Sequence, residues 1–380
     1  MKKLTFIILF LIFTESILSQ NYESYKKLID TTIFSSHLGY TKDISIIVPK
    51  HWQKDIDKTY PLTIIFDKQN TRSHEFIINT IDYLTINDQI PSTIIVSVKS
   101  DTMKRTRETL HKATSFDGQA EENELFIFNE LIPLIEEKYK ASKFRMFIGH
   151  SRYGYLTTYL FEKRLKDLNA VISLSPFFTT QKNINLSDSI IAVNSYNGKF
   201  TKYYRYGIGN DFPDEFKLME KSLKFINNKL IDAKGVLFQE AHHNSTPGLI
   251  APTALYDVFE YWSNQVNNFF SIRNKDVNQL TIASQNIKNH YGQELRASIG
   301  ILNGKGWEFF NDKQFEKAIV VWEILLNEYP NFSEGFLNII WAQEELNLDT
   351  KTTLKKLIKS LNNSEFYSES EKKEILKELK

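Results

Sequence analysis

The chain has 380 residues, which is enough for about two domains with a full hydrophobic core. Its 47 Lys and Arg residues nearly balance its 46 Asp and Glu residues, and it has no basic tract, so nucleic acid is not an expected partner. The absence of cysteine excludes disulfides, a cysteine nucleophile and a lipid-modified N-terminal cysteine.

Residues 1–20 have the pattern of a signal peptide. Two lysines precede an apolar run at 4–13, which is too short to span a bilayer, and small residues predict cleavage after Ser19 or Gln20. No later apolar stretch of about 18 residues follows, so we expect no membrane span after cleavage. An exported chain without cysteine favours a bacterial periplasmic or secreted protein.

From residue 40 to 265, short apolar runs alternate with amphipathic stretches. The short apolar or alternating runs predict strands, at 43–49, 61–67, 93–98, 144–148, 170–174, 202–208 and 236–240. The amphipathic stretches predict helices, at 75–84, 122–139, 154–165, 214–230 and 251–269. This alternation predicts an α/β fold with a mostly parallel sheet and helices on both faces.

The segment from Gly149 to Gly154 lies between a predicted strand and a predicted helix. Glycine two residues before Ser151 is typical of a nucleophile elbow, a sharp turn that exposes a serine hydroxyl. The backbones in such a turn approach too closely for a side chain at 149. The amide of Arg152, at the helix N-terminus, is then an expected oxyanion-hole donor. Tyr153 departs from the pattern, because glycine usually stands there.

A serine nucleophile needs a histidine base that is itself oriented by a carboxylate, in the chain order Ser, Asp or Glu, His for α/β hydrolases. His242 and His243 follow the last predicted strand of the sheet and would lie at its carboxyl edge. His290 lies in a polar stretch and is a weaker candidate.

The orienting acid is expected in the loop after the strand at 202–208. We favour Asp211, which lies at the end of this strand. Asp214 follows a proline and opens a helix, so an N-cap role explains it better. Glu215 is expected to be a solvated helix residue.

The composition changes after about residue 270, which predicts the division 1–20, 21–270, 271–295 and 296–380. The third part is a polar connector, and the fourth is helical throughout. Small and aromatic residues there have the spacing of a tetratricopeptide repeat, at Gly306, Phe309, Ala318, Trp322 and Pro330. About three repeats are normally needed for stability, so we expect this small all-α region to pack on the larger domain or to dock a protein partner. We also expect it to be separable from the chemistry.

Several segments match the sequence motifs of a known family and occur in the same order along the chain. They lie at 60–67, 105–108, 129–139, 149–151, 174–176 and 243–245. Across residues 35–265 the chain resembles the putative-esterase (esterase-D-like) family of α/β hydrolases, which includes enterochelin, feruloyl and acetyl-xylan esterases. The stretch at 129–139 is its most specific match outside the elbow.

The resemblance implies an α/β-hydrolase fold and a Ser-His-Asp triad that works through an acyl-enzyme, without metal or organic cofactor. Its "H-x-S" phrase selects His243 as the base, beside Ser151 and Asp211. Its "D-G" phrase places Lys68 near the second oxyanion donor, where the family has glycine, and a lysine amide can still donate.

The expected activity is that of an exported serine carboxylesterase. Its substrate would be a small-molecule or saccharide ester, such as a siderophore, feruloyl or acetylated-sugar ester. Two alternatives stay open: an acyl transferase with the same triad, and a catalytically impaired binding protein, which Tyr153 and the repeat-like tail favour.

Overall fold

The computed structural model describes residues 22–176, 193–271, 275–364 and 366–377. The predicted signal peptide at 1–20 therefore lies outside the described residues. No helix in these described ranges combines the length and the apolar character needed to cross a membrane.

Eight strands form a single sheet within the described residues, in the order β1-β2-β4-β3-β5-β6-β7-β8. They are β1 (Tyr25–Ser35), β2 (Tyr40–Pro49), β3 (Tyr60–Phe66), β4 (Ile94–Val98), β5 (Ala141–His150), β6 (Ala170–Leu174), β7 (Lys202–Ile208) and β8 (Ile231–Leu237). The β1–β2 and β2–β4 pairs are antiparallel, and the other pairs are parallel. The predicted mostly parallel sheet is confirmed.

The last strand begins at Ile231 rather than at 236 as predicted. It lies at the edge of the sheet, and its side chains alternate between half-buried and exposed. An edge strand with one solvated face lacks the continuous apolar run on which the prediction relied.

Helices cover both faces of the sheet. They are α1 (Thr71–Ile86), α2 (Thr102–Glu108), α3 (Ala120–Leu125), a π-helical turn (Phe126–Leu131), α4 (Ile132–Tyr139), α5 (Arg152–Lys163), α6 (Pro213–Leu223) and α7 (Thr246–Phe270). Successive strand residues alternate between two cores: Ile65 is buried with the apolar residues of α1 and α7, whereas Ile64 is buried with those of α4 and α5.

The predicted helical C-terminal region is confirmed. It consists of α8 (Asn278–Tyr291), α9 (Ile299–Asn311), α10 (Phe315–Glu328), α11 (Glu334–Glu345), α12 (Lys351–Asn363) and α13 (Glu369–Lys377). Gly306 of α9 faces the indole of Trp322 in α10, where a Cβ would lie 2.2 Å from Nε1. The two helices therefore approach closely, although the repeat class and the protein partner stay predictions.

Helix α8 occupies much of the predicted connector and belongs to the core of the sheet. Its Tyr291 is buried, with its ring 5.8 Å from that of Phe144 in β5, and its hydroxyl donates to the carbonyl of Val258 at 3.1 Å. The indole of Trp262 in α7 donates to the carbonyl of Leu295 at 3.0 Å. The region after residue 270 thus completes the core on this face.

Arg296 fixes the start of the helical region to the sheet. Its guanidinium lies over two rings, 4.2 Å from the centroid of Tyr60 in β3 and 5.0 Å from that of Tyr329. It also donates to the carbonyl of Glu328 at 2.7 Å. A guanidinium between two aromatic faces forms cation–π contacts that favour one arrangement of the flanking elements.

The shared core bears directly on whether the helical region can be removed. A chain truncated after Gln285 would lose half of α8, including Ile287 and Tyr291, and would expose Phe144 and Trp262. We expect this truncation to abolish cooperative thermal unfolding, measured by circular dichroism. That result would contradict the expectation from sequence that the region is separable from the chemistry. Exposing several large core side chains at once costs about 1.5–3 kcal/mol for each one.

The matched control is a chain that ends at Ser364. It loses α13 and the preceding Phe366 and Tyr367, which contribute mainly to a separate small cluster with α11 and α12. This shorter cut should keep a cooperative transition. A chain ending at Gln285 that melts within a few degrees of the full chain would contradict the shared core.

Candidate active site

Ser151 lies on a strained turn between β5 and α5. Its backbone has φ +59° and ψ −116°, a conformation that costs a residue with a side chain about 1–3 kcal/mol. Its amide donates to the carbonyl of Leu174 in β6 at 2.8 Å. A Cβ at Gly149 would lie 2.3 Å from the carbonyl oxygen of Tyr153, and one at Gly154 would lie 3.0 Å from that of Leu174. The turn has the geometry of a nucleophile elbow.

His243 and Asp211 meet at the carboxyl edge of the sheet. His243 lies in the loop after β8, and its Nδ1 is 2.5 Å from Oδ2 of Asp211. The other carboxylate oxygen of Asp211 accepts the amide of Gly209 at 3.1 Å. The carboxylate therefore favours the tautomer with a proton on Nδ1, which leaves Nε2 available to accept a proton.

The backbone of His243 is held next to the elbow. Its carbonyl accepts hydrogen bonds from Nε2 of His150 at 3.0 Å and from the hydroxyl of Thr246 at 2.9 Å. The rings of His150 and His243 are 4.7 Å apart, which brings the imidazole beside the residue that precedes Ser151. Burial, with a contribution from His243, lowers the pKa of His150 to about 4, so His150 is a neutral positioning contact at pH 7.

The hydroxyl of Ser151 and the ring of His243 form no hydrogen bond with each other in the described residues. Catalytic hydrogen bonds are often long without substrate and shorten in the complex.

The other sequence candidates lie in different surroundings. His242 is exposed, and Asp214 is an exposed first-turn residue of α6 that pairs with Lys217 at 2.9 Å. His290 stacks on Tyr261 at 3.9 Å and contacts the hydroxyl of Tyr203 near the start of β7, at the end of the sheet opposite Ser151. Glu215 is buried, so the expectation of a solvated residue is wrong: the first turn of α6 presents this side chain to the protein.

One predicted oxyanion donor needs correction. Arg152 is the first residue of α5, where amides point out of the helix end. The amide of Lys68, however, donates to the carbonyl of Val98 at 3.0 Å, because the parallel β3–β4 ladder continues past β3. The next amide, that of Gln69, makes no hydrogen bond within the described residues. Gln69 therefore replaces Lys68 as the candidate second donor.

The turn at residues 67–69, here called the oxyanion loop, is held by side chains that sequence reasoning left without a role. Asp67 has φ +64°, and its carboxylate accepts two hydrogen bonds from Arg105, both at 2.7 Å. Arg105 also donates to the carbonyl of His150 at 3.2 Å. The side chain of Gln69 donates to Asp67 at 2.8 Å and accepts the amide of Ser100 at 2.9 Å. The family phrase at 105–108 marked Arg105 without indicating its partners.

Comparisons with known proteins agree with this fold. Residues 35–246 match the family described as Putative esterase. An IroE-like serine hydrolase from Shewanella oneidensis superposes with a TM-score of 0.63 at 17% identity, covering 80% of this chain and 99% of that one. The siderophore hydrolase EstB from Aspergillus nidulans has a TM-score of 0.50 at 14% identity, covering 63% and 95%. No curated protein matches the chain.

A protein from Capnocytophaga ochracea described as uncharacterised is similar over a longer stretch. Its TM-score is 0.57 at 15% identity, with 92% of this chain and 99% of that chain covered. Because 92% of this chain is covered, the similarity must continue past residue 270 and include part of the helical region.

The two neighbouring histidines offer a matched test of the site. Replacing His243 with Ala should slow labelling of Ser151 by a fluorophosphonate by about 10³-fold or more, because the hydroxyl loses its base. Replacing the exposed His242 with Ala should change the labelling rate by less than about threefold. The rates are measured by mass spectrometry of the labelled protein, and reversed results would transfer the role of base to His242.

Proposed function

The chain belongs to the Putative esterase family, which makes it a serine hydrolase acting on ester bonds, and on this premise we propose that Ser151, His243 and Asp211 form its catalytic triad. The observation that carries the proposal is the hydrogen bond of 2.5 Å between His243 Nδ1 and Asp211 Oδ2, beside the strained turn of Ser151. A serine on such a turn, a histidine and an orienting carboxylate, together with an oxyanion hole, are the groups that acyl transfer to water requires.

In the proposed reaction, Oγ of Ser151 attacks the ester carbonyl while Nε2 of His243 accepts its proton. Asp211 stabilises the resulting imidazolium and keeps its orientation. The carbonyl oxygen becomes an oxyanion, which the amides of Arg152 and Gln69 would bind at the helix end and the oxyanion loop.

Collapse of the tetrahedral intermediate expels the alcohol, which takes the proton from His243 and leaves an acyl group on Ser151. A water molecule then attacks this acyl-enzyme while His243 again accepts the proton. The carboxylic acid departs as Ser151 regains its hydrogen. His243 therefore accepts and returns the proton in both halves of the cycle.

The alternative of an impaired binding protein loses one of its main supports. It rested partly on Tyr153, whose bulk would have to fit beside the elbow. The side chain of Tyr153 is fully buried, with its hydroxyl 2.6 Å from the carboxylate of Glu108, and so points away from the surface that Ser151 faces. Catalysis by the triad is therefore the function that the geometry supports best, and the match to the Putative esterase family favours hydrolysis over the alternative of acyl transfer.

We propose siderophore, feruloyl and acetylated-sugar esters as the substrate classes to test. The similarity to a siderophore hydrolase supports testing siderophore esters first. A panel of these esters with the purified mature chain, read as kcat/KM for each, ranks the three classes.

Replacing Ser151 with Ala should lower kcat/KM for ester hydrolysis by about 10⁴-fold or more, because the nucleophile is lost. It should also abolish fluorophosphonate labelling. The control is Ser370→Ala, an exposed hydroxyl of α13. Its kcat/KM should match that of the unchanged chain. More than a few per cent of the original turnover in the Ser151 variant would refute the assignment.

We also propose that the protein is exported and that its N-terminal segment is cleaved after Ser19 or Gln20. Two lysines, a short apolar run and small residues near position 19 support this. N-terminal sequencing of the protein from the extracytoplasmic fraction of a bacterial host should read Gln20 or Asn21 first. Recovery of a chain that begins at Met1 and stays with the cytoplasm would contradict export.

A further inference from the structure

Tyr153 occupies a position two residues after the nucleophile and is tied to the core by its hydroxyl. Its ring is fully buried and stacks on Phe66, the last residue of β3, with centroids 4.7 Å apart and planes 8° from parallel. The hydroxyl donates to Oε2 of Glu108 at 2.6 Å and lies 2.8 Å from Oγ of Ser100. The first turn of α5 is thereby fixed to β3 and to α2.

Glu108 is the centre of a buried polar network formed by Tyr40, Lys42, Ser100, Glu108 and Tyr153. Its side chain is fully buried, and its Oε1 accepts hydrogen bonds from Lys42 and Tyr40, both at 2.7 Å. Its Oε2 accepts from Ser100 at 2.5 Å and from Tyr153. Every carboxylate oxygen is satisfied twice, as a buried charge requires.

The charge of Glu108 is kept inside the protein by these partners. Burial alone would raise the pKa of Glu108, but the ammonium of Lys42 and the hydroxyls of Ser100 and Tyr153 outweigh burial and hold the pKa below its usual value. Glu108 is therefore a permanent acceptor for the hydroxyl of Tyr153 at neutral pH.

The same helix that carries Glu108 also holds the oxyanion loop. Arg105 lies three residues earlier in α2 and binds Asp67 of that loop and the carbonyl of His150. Ser100 joins the two arrangements, because its amide donates to the Gln69 side chain while its hydroxyl belongs to the network. A shift of Tyr153 would therefore be transmitted to both sides of the catalytic serine.

We propose that Tyr153 and Glu108 are positioning residues that hold the Ser151 turn in register with the oxyanion loop. This inference rests on the proposed function of Ser151. The turn needs such an anchor because its backbone conformation is unfavourable and persists only where the surroundings fix it. Misplacement by about 1 Å can slow catalysis by about 10²-fold.

Tyr153→Phe tests this role, because it keeps the stacked ring and removes only the hydroxyl. We expect kcat for a small soluble ester to fall by about tenfold to a hundredfold, with KM within about twofold. The rate of fluorophosphonate labelling should fall by the same factor as kcat. Active sites are counted by complete labelling, so kcat refers to folded, reactive protein.

Tyr204→Phe is the matched control. It also removes a buried tyrosine hydroxyl bound to α5, 2.8 Å from Oγ1 of Thr158, but this contact lies farther along the helix from Ser151. It should lower the melting temperature about as much as Tyr153→Phe while leaving kcat within about twofold. Equal kcat losses in the two variants would show a general effect on stability and would overturn the inference.

The remaining outcomes also decide the question. Unchanged kcat in Tyr153→Phe overturns the positioning role while leaving the proposed function intact. Absence of labelling at Ser151 in the unchanged protein refutes the proposed function itself. If Tyr153→Phe does not fold, Ser100→Ala carries the test, because it removes the other hydroxyl on Oε2 of Glu108. The same fall in kcat is then expected, and an unchanged kcat overturns the inference.

Discussion

The site depends on a turn whose backbone is unfavourable for the residue that it must expose. Ser151 has a positive φ, and a strand and a helix meet there with no room for side chains at Gly149. The conformation costs about 1–3 kcal/mol and is held by a hydrogen bond to β6, by the packed start of α5 and by the clamp of Arg105 on His150. The position of the hydroxyl is thus set by the sheet and its helices together, and the other site residues are placed relative to it.

The helical region also supports the site, by packing on the face of the sheet opposite α5. A pair of repeat-like helices alone buries too little apolar surface to be stable. Here α9 and α10 bury their apolar residues in a core that continues through α7 into β5 and β6, and Arg296 bridges the two parts between aromatic rings. Because α7 begins directly after the His243 loop, packing on α7 also supports the loop that carries the imidazole.

The sequence predicted the features that local pattern determines, and it missed those that depend on pairing across the fold. The parallel sheet follows from short apolar runs and the elbow from its glycine spacing. Asp211 follows from its place at the end of the predicted strand at 202–208 and His243 from the H-x-S phrase of the family, and their catalytic roles stay predictions. The amide of Lys68 was assigned wrongly because its use depends on whether the β3–β4 ladder extends by one residue. The start of β8 and the burial of α8 likewise depend on which neighbour covers each face, which polar composition alone does not reveal.

Tyr153 departs from the elbow motif at a position where the structure has room for a side chain, whereas Gly149 and Gly154 stand where it has none. The glycines at 149 and 154 are required by backbone atoms within about 3 Å of where a Cβ would lie, and backbone cannot move aside. At 153 the Cα–Cβ bond instead points into a space lined by Phe66, Ser100 and Glu108, which a tyrosine fills with a stacked ring and a bonded hydroxyl. Glycine at this position is a common solution to packing and not a requirement of the turn, so its replacement is compatible with a working nucleophile.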